Sequence, residues 1–435
     1  MKFYAYLMFF FLLTSCSQKA ATGDPKLNLD KLAERYVRLG LSIGQYDSDF
    51  VDAYYGPDSL KPITPPQPAF PADSFANAVR QLSEELQPFT THKDDGLQIR
   101  SKWMRDQLTA FDQRIRMFAG NFTSFDEEAR QLFGVKPPTF SEQEFQSLVT
   151  QLDQLLPGDG SINERFQSLT NKFVIPREKL DTVLKAAINE SRQRTKVHYE
   201  LPANEAFHLE YVNDKPWSGY NWYQGNYQSL IQFNTDITTS VERVIDIASH
   251  EGYPGHHVYN MLLEKHLYRD RGYVEASLYP LFSPQSLIAE GSANYGISVA
   301  FPGDEKIVFT RTRLLPLAGI DTSGLNAYFQ ALEIKGKLKN VSTEVTRRLL
   351  DNKINEQEAI RWLTEYALMK EADAKRSIAF SRKYRSYVIN YAFGQDLVKN
   401  YVESKGGTAS APTKRWEIFY HLLSNQVRTS ELSIK

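Results

Sequence analysis

The chain has 435 residues, of which 42% are hydrophobic, and its 51 Lys and Arg residues against 52 Asp and Glu residues give a net charge of -1. A charge so close to zero argues against a nucleic-acid-binding surface or a strongly basic membrane patch. The length and apolar content suffice for a large hydrophobic core, folded as one unit or as two lobes.

The first 15 residues are typical of a signal peptide. Lys2 precedes an apolar run over residues 3–13, which is shorter than the roughly 20 residues that span a membrane. The next residues, Leu13-Thr14-Ser15-Cys16, look like a bacterial lipobox, and Cys16 is the only cysteine, which excludes an internal disulfide. We expect an exported lipoprotein that is anchored to a bacterial membrane through Cys16, with residues 16–26 as the linker. The alternative is a cleaved signal with an incidental cysteine.

Helical patterns dominate residues 27–200, which we predict to be a scaffold lobe. Residues 60–72 are proline-rich and predicted to be extended, and Ser141 and Glu144 have the spacing of a capping box. This half contains only two histidines, His92 and His198. The predicted helices cover residues 27–55, 73–89, 97–118, 124–133, 141–156 and 176–197.

The character of the chain changes after residue 200, where we place the start of a catalytic lobe, residues 201–435. Residues 207–212 and 229–235 have strand composition, and the aromatic stretch 217–225 between them is predicted to be a loop. The fold class is therefore mainly α, with a small β-ribbon before the central helix. Later helices are predicted over residues 308–318, 324–338, 341–351, 356–369, 372–402 and 414–426.

The densest group of metal-binding residue types lies in residues 246–258, which hold three of the eight histidines. An apolar helical pattern before them places His250 and Glu251 side by side at the end of a helix. In the motif H-E-x-x-H the second histidine lies one helical turn on, where both rings reach one ion. Pro254 occupies that position here, so the motif is broken.

The break at Pro254 decides which histidine could join His250. On an unbroken helix His257 would lie about 10 Å further along the axis, a long reach for two ligands of one ion. Pro254 and Gly255 make an unbroken helix improbable, because proline lacks the backbone donor and glycine permits unusual dihedral angles. We predict a bulge and a second helix starting near Pro254, so that either His256 or His257 turns back to the ion.

A third ligand is needed, because two histidines alone bind zinc weakly. Ser283 and Pro284 predict a helix start, and Glu290 and Asn294 lie one turn apart on that helix. Glu290 would complete a His-His-Glu set with an open position for water, which is typical of a catalytic site. One Zn²⁺ ion is the predicted cofactor, with other divalent metals as alternatives.

These motifs resemble a bacterial family called domain of unknown function 885, which is regarded as related to the gluzincin metallopeptidases and mostly helical. The family's Glu-Gly helix falls on Glu290 and Gly291, and the resemblance extends over most of the mature chain. Two departures concern substrate range: Ser292 replaces a bulky aromatic residue, and Phe393 replaces a proline before Gly-Gln. The family's H-E-x-x-P-G-H pattern falls on His250, Glu251, Pro254, Gly255 and His256.

The resemblance implies a multi-helix, gluzincin-like zinc peptidase, both lobes forming one continuous family domain. In the expected mechanism Glu251 is the general base for an activated water, and a Tyr or Arg stabilises the oxyanion. Arg385, Tyr387 and Tyr391 are the candidates for that last role, with a solvated basic helix face as the alternative.

The expected partner is a peptide substrate. Gluzincins hold a peptide by edge pairing with a strand before the metal helix, which here would be residues 229–235. We take Gln232, Asn234 and Tyr253 as candidate substrate-binding residues, against the alternative of a structural hairpin. Two rival functions are a metal-dependent amidase acting on cell-wall material, and a non-catalytic surface lipoprotein that keeps the site as a binding pocket.

Overall fold

The computed structural model describes residues 24–215 and 217–432. The predicted signal peptide, the lipidation site Cys16 and residues 16–23 of the linker lie outside these described residues. Within the two described ranges, no helix combines the length and the apolar character that a membrane crossing requires.

The N-terminal half is helical, as predicted, with two corrections. The first helix ends at Gly44 rather than near residue 55, because residues 51–54 form a strand that pairs with residues 278–280. A further helix, which the prediction missed, begins after a capping box of Ser161 and Glu164. The elements are α1 (Pro25–Gly44), β1 (Val51–Tyr54), α2 (Ala72–Leu86), α3 (Asp95–Phe118), α4 (Phe125–Phe133), α5 (Glu142–Leu155), α6 (Ile162–Asn171) and α7 (Leu180–His198).

A three-stranded sheet follows α7, in the order β2 (Ala206–Val212), β4 (Gln228–Asn234), β3 (Gly219–Gly225). The prediction that residues 217–225 form a loop was wrong. Alternate residues of β3 are buried, and Asn226 and Tyr227, both with positive φ, form the two-residue turn of a hairpin with β4. The aromatic composition of the stretch therefore belongs to a strand.

The C-terminal half is again helical. The predicted helix over residues 372–402 is two helices, separated at Arg385, which has a φ of 53°. A short strand, β5 (Leu278–Pro280), pairs with β1. The helices are α8 (Val241–Ile247), α9 (His256–Leu263), α10 (Pro284–Ala300), α11 (Glu305–Phe309), α12 (Leu315–Ala318), α13 (Leu325–Lys337), α14 (Val341–Leu350), α15 (Glu356–Glu365), α16 (Glu371–Tyr384), α17 (Ile389–Ser404), α18 (Pro412–Ser424) and α19 (Thr429–Leu432).

Helix α10 is buried along most of its length and packs closely against α17. Its start is capped as predicted, with Ser283 Oγ accepting from the backbone N–H of Ser286 at 3.3 Å. A Cβ atom on Gly291 would lie 2.4 Å from the carbonyl oxygen of Gly394, so the two backbones touch at these glycines. This close approach sets the position of Glu290, the neighbouring residue of α10.

We predict that Gly291→Ala lowers the free energy of unfolding by about 1–3 kcal/mol, because the added methyl group forces the backbones of α10 and α17 apart. Thermal or chemical denaturation measures the change. Gly336→Ala on α13 is the matched control, since a Cβ there meets no atom within 4 Å, and we expect it to stabilise by up to about 1 kcal/mol. Equal effects of the two substitutions would contradict the packing role of Gly291.

Candidate metal centre

The chain turns sharply between α8 and α9. Helix α8 ends in a wide turn over Ala248–Gly252, and α9 begins at His256, so the predicted break and second helix are confirmed. The backbone N–H of Gly255 donates to the carbonyl oxygen of Ser249 at 2.9 Å. A Cβ atom on Gly255 would lie only 1.9 Å from the carbonyl oxygen of His250. Glycine is therefore required for the turn that brings His256 back to His250.

Three side chains converge at this turn. The Nε2 atoms of His250 and His256 lie 3.2 Å apart, and Glu290 Oε2 lies 3.3 Å from the first and 3.6 Å from the second. Ligands held at 2.0–2.1 Å by a tetrahedral zinc ion are separated by about 3.3 Å. The three atoms therefore have the spacing of one face of such a coordination shell, and the group could hold a metal ion.

The surrounding contacts also fit a metal ion. Glu290 Oε1 accepts a hydrogen bond from the Tyr387 hydroxyl at 2.9 Å, whereas the buried Glu290 Oε2 has no hydrogen-bond partner. His250 Nδ1 lies 3.1 Å from Asn294 Oδ1, which is suited to accept its proton and leave the Nε2 lone pair free. Asn294 Nδ2 donates to the backbone carbonyl of Tyr391 at 3.2 Å, which orients the amide. A buried carboxylate oxygen that has no hydrogen-bond partner in the protein fits the role of a metal ligand.

Charges around the group alter two of its pKa values. Burial alone would lower the pKa of His256, but the negative charges of Glu290, Glu251 and Asp52 raise it to about 9. Burial alone would raise the pKa of Glu290, but the positive charge of His256 and the close approach of both histidine rings lower it well below its usual range. When no metal is bound, the positive charge of protonated His256 therefore balances the negative charge of the Glu290 carboxylate.

Glu251 lies beside the three ligand atoms and outside their group. Its Oε1 atom is 4.0 Å from His250 Nε2, and its backbone carbonyl accepts from Asn221 Nδ2 at 2.7 Å. A Cβ atom on Gly219 would lie 3.2 Å from Glu251 Oε1, so the start of β3 runs close to this carboxylate. Glu251 is therefore not one of the three candidate ligands, but its carboxylate lies next to them.

The candidate ligand His257 points elsewhere. Its ring is fully buried, with Nδ1 2.8 Å from Ser229 Oγ and Nε2 3.1 Å from Glu205 Oε2. Both ring nitrogens of His257 therefore contact other buried side chains. Of the two histidines left open by the sequence, His256 is the one placed to bind the metal. Burial alone would raise the pKa of Glu205, but hydrogen bonds from His257, Tyr253 and Arg192 lower it to about 2.

The three candidate oxyanion donors occupy different places. Tyr387 is buried and donates to Glu290, so it orients the carboxylate. Arg385 Nε donates at 2.6 Å to the fully buried Glu128, an ion pair that holds the break between α16 and α17. We withdraw Arg385 as a catalytic candidate, because removing it from that pair would leave a buried charge unpaired. Tyr391 is 37% exposed and remains accessible.

The predicted substrate-binding residues need correction. Strand β4 lies between β2 and β3 with both edges paired, so residues 229–235 cannot pair with a peptide. Asn234 is buried and donates to two backbone carbonyls, and the buried Tyr253 donates to Glu205. Gln232 is bonded to Trp222 and Glu210 on the neighbouring strands. Gln232 therefore links neighbouring strands, Asn234 holds the loop before β3, and Tyr253 holds Glu205 in the core.

Asp52 is a charged neighbour that the sequence analysis missed. It lies on β1 and accepts a hydrogen bond from the Tyr220 hydroxyl of β3. Burial raises the pKa of Asp52 to about 6; Glu290 and Glu251 act in the same direction, and the Tyr220 hydrogen bond and His256 oppose them. No sequence pattern pointed to Asp52, because it lies about two hundred residues before the motif.

Comparisons with known proteins show the fold alone. No family model and no curated protein matches the chain, so the family resemblance stays a prediction carried by the motif. The structure of "the putative lipoprotein from Colwellia psychrerythraea" matches with a TM-score of 0.51 and 15% identity, covering 82% of this chain and 65% of that one. This chain therefore spans less than two thirds of that protein.

Two other solved structures are similar at TM-scores below 0.5. One is described as "a putative lipoprotein of unknown function from Shewanella oneidensis", with 13% identity, a TM-score of 0.42 and coverage of 81% of this chain and 73% of that one. The other is metallocarboxypeptidase 1 of Trypanosoma cruzi, with 13% identity, a TM-score of 0.43 and coverage of 92% and 91%.

We predict that His256→Ala loses bound zinc, whereas His257→Gln keeps it, because only His256 directs a ring nitrogen at His250 and Glu290. Elemental analysis of the protein purified without chelator measures zinc per chain. Circular dichroism confirms that both variants are folded. Loss of zinc in His257→Gln alone, with the fold intact, would reverse the assignment.

Zinc affinity should depend on pH through His256. The ring carries a proton below its pKa of about 9, and that proton must leave before Nε2 can bind an ion. We expect the apparent affinity to rise about tenfold per pH unit from neutral pH to about pH 9, and then to level off. Competition with a calibrated chelator measures it, and a flat profile over that range would contradict the assigned pKa.

Proposed function

We propose that this protein is an exported lipoprotein and a zinc-dependent peptidase. The observation that carries the proposal is the convergence of two histidine nitrogens and the unpartnered Glu290 Oε2 at zinc spacing, with Glu251 beside them. A structural zinc site has four protein ligands, whereas three with a nearby free carboxylate are typical of catalysis. Among the described residues, the group contains no fourth ligand.

His250, His256 and Glu290 would hold the zinc ion. When bound, zinc supplies Lewis acidity and lowers the pKa of water. Asn294 keeps the proton of His250 on Nδ1, and Tyr387 holds Glu290 through Oε1, so both ligands are oriented before the ion arrives. Burial and Glu290 raise the pKa of Tyr387 well above its usual value, so its hydroxyl stays a donor.

Glu251 is our proposed general base. Its Oε1 atom lies 4.0 Å from His250 Nε2, beside the three ligand atoms. From there it could take a proton from a water whose oxygen attacks the peptide carbonyl, and return that proton to the amine that leaves when the C–N bond breaks. Tyr391 is the remaining candidate for the oxyanion donor. Its exposure leaves it in reach of a substrate, and its ring centroid lies 5.8 Å from that of Tyr387.

We propose that β3 binds the extended peptide in place of β4. It is an outer strand of the sheet, and its first residue, Gly219, runs beside Glu251. Backbone pairing along this strand would place the scissile bond near the base. The aromatic rings of Tyr220 and Trp222 on this strand cluster with that of Trp217 just before it, and the three rings offer contacts for substrate side chains.

Export is proposed from the sequence alone, on the lipobox ending at Cys16. The similar protein from Colwellia psychrerythraea is also described as a lipoprotein, which is in keeping with this location. Labelling cells with a radioactive fatty acid tests it directly. Incorporation should be lost in Cys16→Ser.

We predict that Glu251→Gln lowers peptide hydrolysis by about 10²–10⁴-fold and keeps wild-type zinc content, because it removes the base and no ligand. His250→Ala is the matched control, which should lose both zinc and activity. A panel of peptides and of cell-wall amides, with products identified by mass spectrometry, measures the activity. The panel also separates a peptidase from an amidase.

Two outcomes would contradict the proposal. Unchanged turnover in Glu251→Gln would exclude this residue as the base. Zinc binding without hydrolysis of any substrate in the panel would favour a binding protein built on the same frame.

A further inference from the structure

A cavity opens beside the candidate metal centre. It has a volume of about 390 Å³, and we call it the Thr343 pocket. The size lies within the range of small-molecule binding sites. The lining includes Asn294, which contacts His250, and Tyr391, whose carbonyl accepts from Asn294. The Asn294 side chain therefore lies between the pocket and His250, a proposed zinc ligand.

The Thr343 pocket contains a buried hydroxyl with no partner. Thr343 is 2% exposed, and its Oγ1 atom makes no hydrogen bond. Leaving such a group unpaired in the interior costs free energy, and a ligand atom that pairs with it recovers that cost. Ser342 adds a second hydroxyl to the same lining.

Lys339 supplies an ammonium group, whose charge is partly offset by the carboxylate of Asp396. Its ammonium donates to Gln395 Oε1 at 2.9 Å and to Asp396 Oδ1 at 2.7 Å, which hold it in place. An ammonium has three N–H donors, so one remains for a ligand. Gln395 accepts through its oxygen, so its amide N–H groups also remain as donors. The part of the chain that the structure describes contributes no Asp or Glu to this lining.

The two sides of the site differ in electrostatic character. Glu251 and Asp52 lie on the metal side and repel a carboxylate, whereas the described lining of the Thr343 pocket has no carboxylate and presents several neutral donors and the ammonium of the Lys339–Asp396 ion pair. A peptide bound across both would therefore place its negative group in the pocket. Charge-assisted hydrogen bonds from an ammonium are stronger than neutral ones, so a carboxylate is the best-matched ligand.

We propose that the Thr343 pocket binds a carboxylate of the substrate, so that the protein selects peptides with a carboxylate close to the bond that is cleaved. The inference rests on the proposed peptidase function and specifies its substrate class. The carboxylate has two sources, the free C-terminus and an acidic side chain, which share this chemistry.

Binding of four tripeptide probes tests the proposal. Ala-Ala-Ala and its C-terminal amide report on the α-carboxylate, and the amides of Ala-Glu-Ala and Ala-Gln-Ala report on a side-chain carboxylate. Calorimetry is done on zinc-loaded Glu251→Gln, which should bind without cleavage, and on metal-free wild-type protein. We expect one carboxylate probe, or both, to bind at least about tenfold more tightly than its amide partner.

Two variants and one control assign that preference to the pocket. Lys339→Met should abolish it, whereas Lys337→Met, which removes an exposed lysine paired with Glu333 on the same helix, should leave it unchanged. Thr343→Val removes the unpartnered hydroxyl, so it should weaken carboxylate binding without lowering the melting temperature. That combination separates a binding role from a structural one.

The proposal is overturned if no probe binds, if carboxylate and amide probes bind equally, or if the preference survives Lys339→Met. The metal-free arm separates this result from the proposed function. A Lys339-dependent preference there, in a protein that binds no zinc, would uphold the pocket and reject the peptidase. Zinc-dependent hydrolysis without a Lys339-dependent preference would uphold the peptidase function and reject the carboxylate pocket.

Discussion

The contact between Gly255 and the carbonyl oxygens of Ser249 and His250 sets the geometry on which the candidate site depends. Because no Cβ atom intervenes, the chain closes tightly after the wide turn and starts α9 at His256. The two Nε2 atoms then lie 3.2 Å apart, although six residues separate them in sequence. An unbroken helix could not bring residues of that spacing together, since they lie on different faces.

A second backbone contact places the third member of the group. Gly291 and Gly394 allow α10 and α17 to touch, and Glu290 precedes the first of them. Helix α17 also begins just after Tyr387, which donates to Glu290. The same packing therefore positions the carboxylate and the hydroxyl that orients it. The glycine in Phe393-Gly394-Gln395 is thus explained by packing, whatever the residue before it.

The site is electrostatically unbalanced without a cation. Three carboxylates, Glu290, Glu251 and Asp52, surround two imidazoles, and the proton on His256 is the nearest compensation. A divalent ion would replace that proton and neutralise more of the negative charge. Across Asn294, the described lining of the Thr343 pocket has hydrogen-bond donors and no carboxylate. In the proposed peptidase, this difference would give a bound peptide one preferred direction across the site.

Local patterns in the sequence determined much of this protein: the mainly α fold class, most helix positions, the capped start of α10, and the break at Pro254 and Gly255. They could do so because helix periodicity, caps and backbone restrictions act between residues close in sequence. Those patterns also selected Glu290 as the candidate that completes the group with His250 and His256.

Tertiary structure alone decided the rest. In the folded protein, His257 contacts Ser229 and Glu205, and Arg385 pairs with Glu128. Strand β4 lies between two other strands, and Asp52 lies near the candidate metal centre. Each outcome depends on a partner tens to hundreds of residues away, and a periodicity or a cap carries no information about such a partner. The direction of a side chain at a known position is settled only when the distant elements pack around it.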